Sequence, residues 1–168
     1  MKHTIFRCES SQAVANYNCL ESFDGIVLTN GNGWANNGVI PSWVVFYLDT
    51  SATANTLIIK SGVARTDHYL TDFKIDLMVG CGYQAATGVS VNNDDAIISG
   101  PRVQLPYGYE RLRISFDQLE NINAVKLTVF GSNHANHGSL VLTEVFLLDV
   151  DIGCTLCNQY IDLIMDII

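Results

Sequence analysis

Apolar and polar residues alternate with period two along much of this chain, and Asn, Gly and Asp break the pattern at short intervals. That rhythm constrains the fold more than any other feature. Phe73-Lys-Ile-Asp-Leu-Met-Val79 sets Phe73, Ile75, Leu77 and Val79 on one face of an extended segment, with Lys74 and Asp76 opposite. Leu112, Ile114 and Phe116 alternate in the same way with Arg111, Arg113 and Ser115, and Val125, Leu127 and Val129 with Lys126 and Thr128. Trp43–Leu48, Thr56–Ser61 and Val141–Val150 are more continuously apolar, as strands covered on both faces are. Turn-forming stretches at Thr29–Gly38, Ser61–Tyr69, Gly80–Asp95, Pro106–Glu110 and Gly131–Gly138 separate them. The pattern predicts an all-β domain over residues 1–150, an antiparallel jelly-roll β-sandwich.

Residues 151–168 change character. Tyr160, Leu163, Ile164, Ile167 and Ile168 fall at helical spacing, with Asp162 and Asp166 four apart. This predicts a short amphipathic helical tail, whose apolar stripe packs on the domain or docks another chain in an oligomer or larger assembly.

Composition then excludes whole classes of function. With 48% hydrophobic residues, intrinsic disorder is excluded. Nine Lys and Arg stand against 17 Asp and Glu, a formal charge of −8, which lacks the basic footprint of a nucleic-acid binder. No apolar run approaches the ~18–20 residues of a membrane span. Met1–Arg7 carries neither the basic head nor the apolar stretch of a secretion signal, so the chain is expected to be cytoplasmic or a mature or trimmed extracellular protein. The five cysteines, Cys8, Cys19, Cys81, Cys154 and Cys157, cannot all pair, and no Asn-x-Ser/Thr sequon occurs. Both observations lean towards a reducing compartment.

The most specific pattern is Ser22-Phe-Asp-Gly25, then Gly33-Trp-Ala-Asn36, then Pro41-Ser-Trp-Val-Val-Phe-Tyr-Leu48. It resembles the opening of discoidin-like domains (coagulation factor 5/8 type C domains), which include family 32 carbohydrate-binding modules. Thr56–Gly62, Asp67–Phe73, Arg111-Leu-Arg-Ile114 and Leu142-Thr-Glu-Val145 match later strands in the right order. The pattern departs where Ile26-Val-Leu-Thr29 replaces the acid expected after the Asp-Gly turn, and the terminal cysteine pair of secreted animal members is not recognisable. The resemblance implies a galactose-binding-like sandwich with a structural Ca²⁺ held by Glu144 and oxygens of the Asp24 loop. Read from the residues alone, Glu144 projects among Leu142, Phe146 and Leu148, so its charge needs either a cation or an arginine such as Arg111 or Arg113.

Candidate ligand-binding side chains sit in three loops: Trp34 in the first, Arg65 and His68 in the second, Asn133, His134 and His137 in the third. A loop aromatic beside amide, imidazole and guanidinium donors offers a sugar a flat apolar face and fixed hydrogen bonds. The alternative is that these loops point to different ends and bind nothing together. Trp43, alternating with Val45 and Tyr47, is expected in the core. Cys154-Thr-Leu-Cys157 supplies half a zinc site at most, and the spacing of His134 and His137 places no third ligand. Asp94-Asp95 reads as a solvated turn, and no nucleophile elbow or phosphate loop occurs, so no enzyme is expected. Two functions remain: a non-catalytic glycan-recognition module, or an intracellular protein-interaction or assembly subunit on the same scaffold.

Overall fold

The computed structural model describes residues 4–12, 19–22, 33–62, 68–92, 95–134 and 140–150. The expected C-terminal helix, Asp24, Arg65, His137, Asp94 and the Cys154/Cys157 pair lie outside these residues. The described strands are β1 (Ile5–Ser10), β2 (Trp34–Ala35), β3 (Ser42–Ser61), β4 (Leu70–Val79), β5 (Gly82–Ala85), β6 (Ser90–Val91), β7 (Ile97–Ser99), β8 (Arg102–Gln104), β9 (Arg111–Ser132) and β10 (Val141–Leu148). Every described ladder is antiparallel.

The backbone of the architecture is a ribbon of β3 and β9 doubled over on itself. Ser42 faces Val129 at one end of their pairing and Lys60 faces Arg111 at the other, with register shifts between Tyr47 and Thr56 where the ribbon bends. Asn121, at the bend, takes a positive φ of 58°, a conformation asparagine tolerates better than most residues. One layer joins β1, the first half of β3, the second half of β9, β4, and beyond it β5 and β8. The other joins β2, β10, the second half of β3, the first half of β9, and β6. The sequence predicts separate strands at Trp43–Leu48 and Thr56–Ser61, and the structure carries the pairing through the polar residues between them.

The alternating residues meet between the layers. Val44, Phe46, Phe73, Ile75, Leu77, Val125, Leu127 and Val129 share one cluster with Leu57, Ile59, Leu112, Ile114, Val145 and Leu147. Each such side chain contributes about 1.5–3 kcal/mol on burial, which fixes the parity of every strand.

Three expectations are corrected. Trp43 faces outward and is half-buried, because Val44, Phe46 and Leu48 take the inward positions of the same strand. Glu144 does not share a face with Leu142: an irregularity between Leu142 and Glu144 inserts one extra residue, so Leu142 joins the core with Val145 and Leu147. Cys8 and Cys19 form a disulfide. Disulfides persist in oxidising surroundings, so the lean towards a reducing compartment is withdrawn. Among the described residues Cys81 is free and exposed.

Candidate functional site

The doubled ribbon brings the start and end of β3 and of β9 to one end of the sandwich, together with the start of β4 and of β10. The segments that leave and enter these strands therefore converge there. Ser61 Oγ donates to Tyr109 O (3.1 Å) and accepts from Leu70 N (3.3 Å), tying β3 and β4 to the segment before β9. Gly62 N donates to Val141 O (2.8 Å), and Val141 N to His68 O (3.4 Å), so His68 is pinned beside the start of β10.

Two of the three predicted loops meet. The rings of His68 and His134 lie 4.4 Å apart, centre to centre, with planes inclined at 47°. Between them in sequence, Asn133 clamps the neighbouring backbone: its Oδ1 accepts from Tyr69 N at 2.7 Å, while its own N donates to Tyr69 O at 3.1 Å. His134 N donates to Ser132 Oγ at 3.3 Å. His68 is buried, whereas Asn133 is exposed and His134 half-buried, so the imidazole pair presents one side to solvent.

A third segment closes on the same place. Gly108 packs so tightly that a Cβ there would come within 2.5 Å of Tyr69 Cβ and 2.8 Å of Asn133 Cγ. Its neighbour Tyr107 is 69% exposed. Tyr107 is not among the candidate side chains drawn from the sequence, although Pro106-Tyr-Gly-Tyr-Glu110 carries a signal for it, aromatics flanking a glycine in a turn. An exposed ring on a segment that packs against Asn133 offers a flat apolar surface, and the imidazoles and amide of the neighbouring loops donate and accept hydrogen bonds.

Trp34 does not belong to this surface. It is fully buried in the core, its backbone N donates to Ser22 Oγ at 2.8 Å, and its indole Nε1 donates to Gln12 O at 2.7 Å. A ring with no exposed face cannot stack a ligand. Asn36, not singled out from sequence, organises this region: its Oδ1 accepts from Leu140 N (2.9 Å) and its Nδ2 donates to Ser42 Oγ (3.1 Å).

Glu144 is completely buried. Lys60 faces it across the β10–β3 ladder, and Lys60 Nζ lies 3.6 Å from Glu110 Oε1. Ser22 Oγ donates to Leu142 O at 2.9 Å, and Gly33, at φ 125°, presses on the same carbonyl, where a Cβ would approach to 1.9 Å. Both flanks of the segment containing Asp24 are thus fastened to β10 two positions before Glu144. Among the described residues no three His, Cys, Asp or Glu side chains cluster as metal ligands.

A separate cavity of about 340 Å³ opens at the opposite end, where Leu77, Ala85, Ala86, Asp117, Gln118 and Leu119 line it. No helix among the described residues is long and apolar enough to cross a membrane.

No protein-family model matches the chain, and no curated protein does. Solved structures do. The chain is similar to the family 32 carbohydrate-binding module of AlyQ in complex with 4,5-unsaturated mannuronic acid, at 18% identity over 88% of this chain and 98% of that one, with a TM-score of 0.63. It is similar to the family 32 module of C. perfringens NanJ in complex with galactose, at 11% identity over 84% and 91%, with a TM-score of 0.62. It also matches SpGH29 at 16% identity and a TM-score of 0.61, covering 86% of this chain but 27% of that one. The fold is the galactose-binding, discoidin-like β-sandwich.

Proposed function

We propose that this chain is a non-catalytic module that binds a glycan at the loop end of the sandwich, through His68, Asn133, His134 and Tyr107. The observation that carries the reading is the convergence of His68 and His134 at 4.4 Å with the exposed Tyr107 segment packed on Asn133. Three separate stretches of chain supply a rigid floor, an apolar face and hydrogen-bonding groups, which is what recognition of a sugar ring requires. The resemblance in fold to carbohydrate-binding modules supports it. The Cys8–Cys19 disulfide favours this reading over an intracellular assembly subunit, since glycans outside the cell share its oxidising surroundings. Arg65 belongs to the same reading, as a further hydrogen-bond donor from the segment preceding His68. The full chain, applied to a glycan array, is expected to retain a defined set of sugars, and its His134→Ala variant to lose them. Equal retention by both would contradict the site.

The same reading assigns Asp24 and Glu144 to a structural Ca²⁺. Support comes from the donor chemistry: Glu144 is a fully buried carboxylate on the strand to which the flanks of the Asp24 segment are fastened. Calcium takes about six to eight oxygen ligands, and the carbonyls flanking Asp24 would supply the remainder. Bound there, the ion would balance the Glu144 charge and stiffen the segment. Thermal unfolding of the chain with calcium and with chelator tests this, a higher midpoint with calcium being expected, and lost in Asp24→Asn. An unchanged midpoint assigns Glu144 to the Lys60 and Arg111 row instead.

A further inference from the structure

The outer face of the layer built from β1, β3, β9, β4 and β5 carries a cluster that the loop-end reading does not use. Trp43 and Tyr47 point outward from β3, Lys126 from β9 and Tyr83 from β5. Lys126 Nζ stands over the Trp43 ring at 5.2 Å from its centre and over the Tyr83 ring at 5.4 Å. One ammonium therefore sits between two aromatic faces, both within the span of a short run of sugar residues. Tyr83 is 45% exposed and Trp43 half-buried, so part of each ring reaches solvent beside the ammonium.

The charges on this face pair off and leave one over. Arg7 pairs with Glu9, which also accepts from Tyr47 Oη at 3.1 Å. Lys74 Nζ pairs with Asp76 Oδ1 at 2.8 Å, although Asp76 lies opposite Lys126 in the ladder. Arg102 makes a two-point contact with Asp72, both bonds 2.9 Å. Among the described residues Lys126 has no carboxylate partner, and its neighbours' acids are already neutralised. In a chain of formal charge −8, Lys126 is, among the described residues, the cation of this face without a carboxylate partner.

We propose that this sheet face is a second glycan-binding site, distinct from the loop end, and that its ligand is a uronate-containing polysaccharide. Sugar faces stack on Trp43 and Tyr83, and a ligand carboxylate takes the Lys126 ammonium as a charge-assisted hydrogen-bond donor. The anion is favoured over a neutral sugar because a carboxylate gives Lys126 the partner that the pairing on this face withholds. The hydrogen bond from Tyr47 Oη to Glu9 at 3.1 Å fixes the neighbouring ring on this face.

The test uses the full isotope-labelled chain, titrated with an oligogalacturonate and, in parallel, with a neutral dextran oligomer of the same length. The oligogalacturonate is expected to shift the Trp43 indole N–H and the amides of residues 43–47, 82–85 and 124–128. Lys126→Gln is expected to weaken that binding at least about tenfold, as the loss of a charged hydrogen bond does. Binding of the dextran at this face with equal strength would overturn the assignment to uronates. Shifts confined to residues 68, 69, 107–110 and 132–134 would overturn the sheet-face site while leaving the loop-end reading standing. Shifts at this face that follow protein concentration and ignore the uronate would assign it to a second copy of the chain instead.

Discussion

Asn133 holds Tyr69 by two hydrogen bonds, one through its side chain at 2.7 Å and one through its backbone at 3.1 Å, and so locks two loops that carry facing imidazoles. Asn133→Ala removes the side-chain bond to the Tyr69 N–H. The expected cost is about 1 kcal/mol in urea unfolding, with a larger proportional loss of glycan affinity because His68 and His134 lose their common frame. A variant that binds as tightly as the parent would show that the clamp does not organise the site.

The two tryptophans are expected to separate sharply. Trp34 fills the core and makes a hydrogen bond through its indole, so Trp34→Ala is expected to cost about 3–5 kcal/mol. Trp43→Ala, on the outward face, is expected to cost much less. Denaturant unfolding of both variants measures the difference, and equal losses would contradict the assigned faces.

Reducing the Cys8–Cys19 bond is expected to destabilise the domain by about 3 kcal/mol, from the chain entropy released by a short closed loop. Cys8→Ser, followed by thermal unfolding against the oxidised parent, reads this directly. No change on reduction would mean that the pair is not closed in solution.

Tyr83 has its phenol pushed up to about 12 from 10.0, first by burial and then by Tyr47, with Glu9 and Asp76 adding repulsion of the phenolate. The folded state therefore favours the neutral phenol. Its contribution to stability is whole below pH 10 and is lost as pH rises towards 12. Ultraviolet titration of the parent against Tyr83→Phe isolates this phenol, and ionisation near pH 10 would contradict the packing around it.

Most of the sandwich was legible because alternation is a direct print of a sheet with one buried face. What escaped has physical reasons. Between Leu48 and Thr56 the residues are small and polar, as a loop's are, yet the ladder continues through them. The sequence around Trp43 is apolar at both parities, so alternation could not say which face was inward; Val44 and Phe46 took the core. The extra residue at the Leu142–Glu144 irregularity moved Leu142 to the other face, and no local signal marks a bulge there. Loop composition pointed to His68, Asn133 and His134, which lie in one region because loops leaving paired strand ends have nowhere else to go. It misplaced Trp34, whose burial depends on Gln12 and Ser22, partners distant in sequence.

The central claim is that the loop end binds a sugar, and calorimetric titration of the parent and of Tyr107→Ala with a glycan retained on the array tests it most directly. Tyr107 is 69% exposed, so its removal leaves the fold intact. Tyr107→Ala is expected to keep an unfolding free energy within about 0.5 kcal/mol of the parent and to lower affinity at least about tenfold, the scale of one lost stacking platform. An unchanged affinity in Tyr107→Ala, together with an unchanged affinity in His134→Ala, would contradict it.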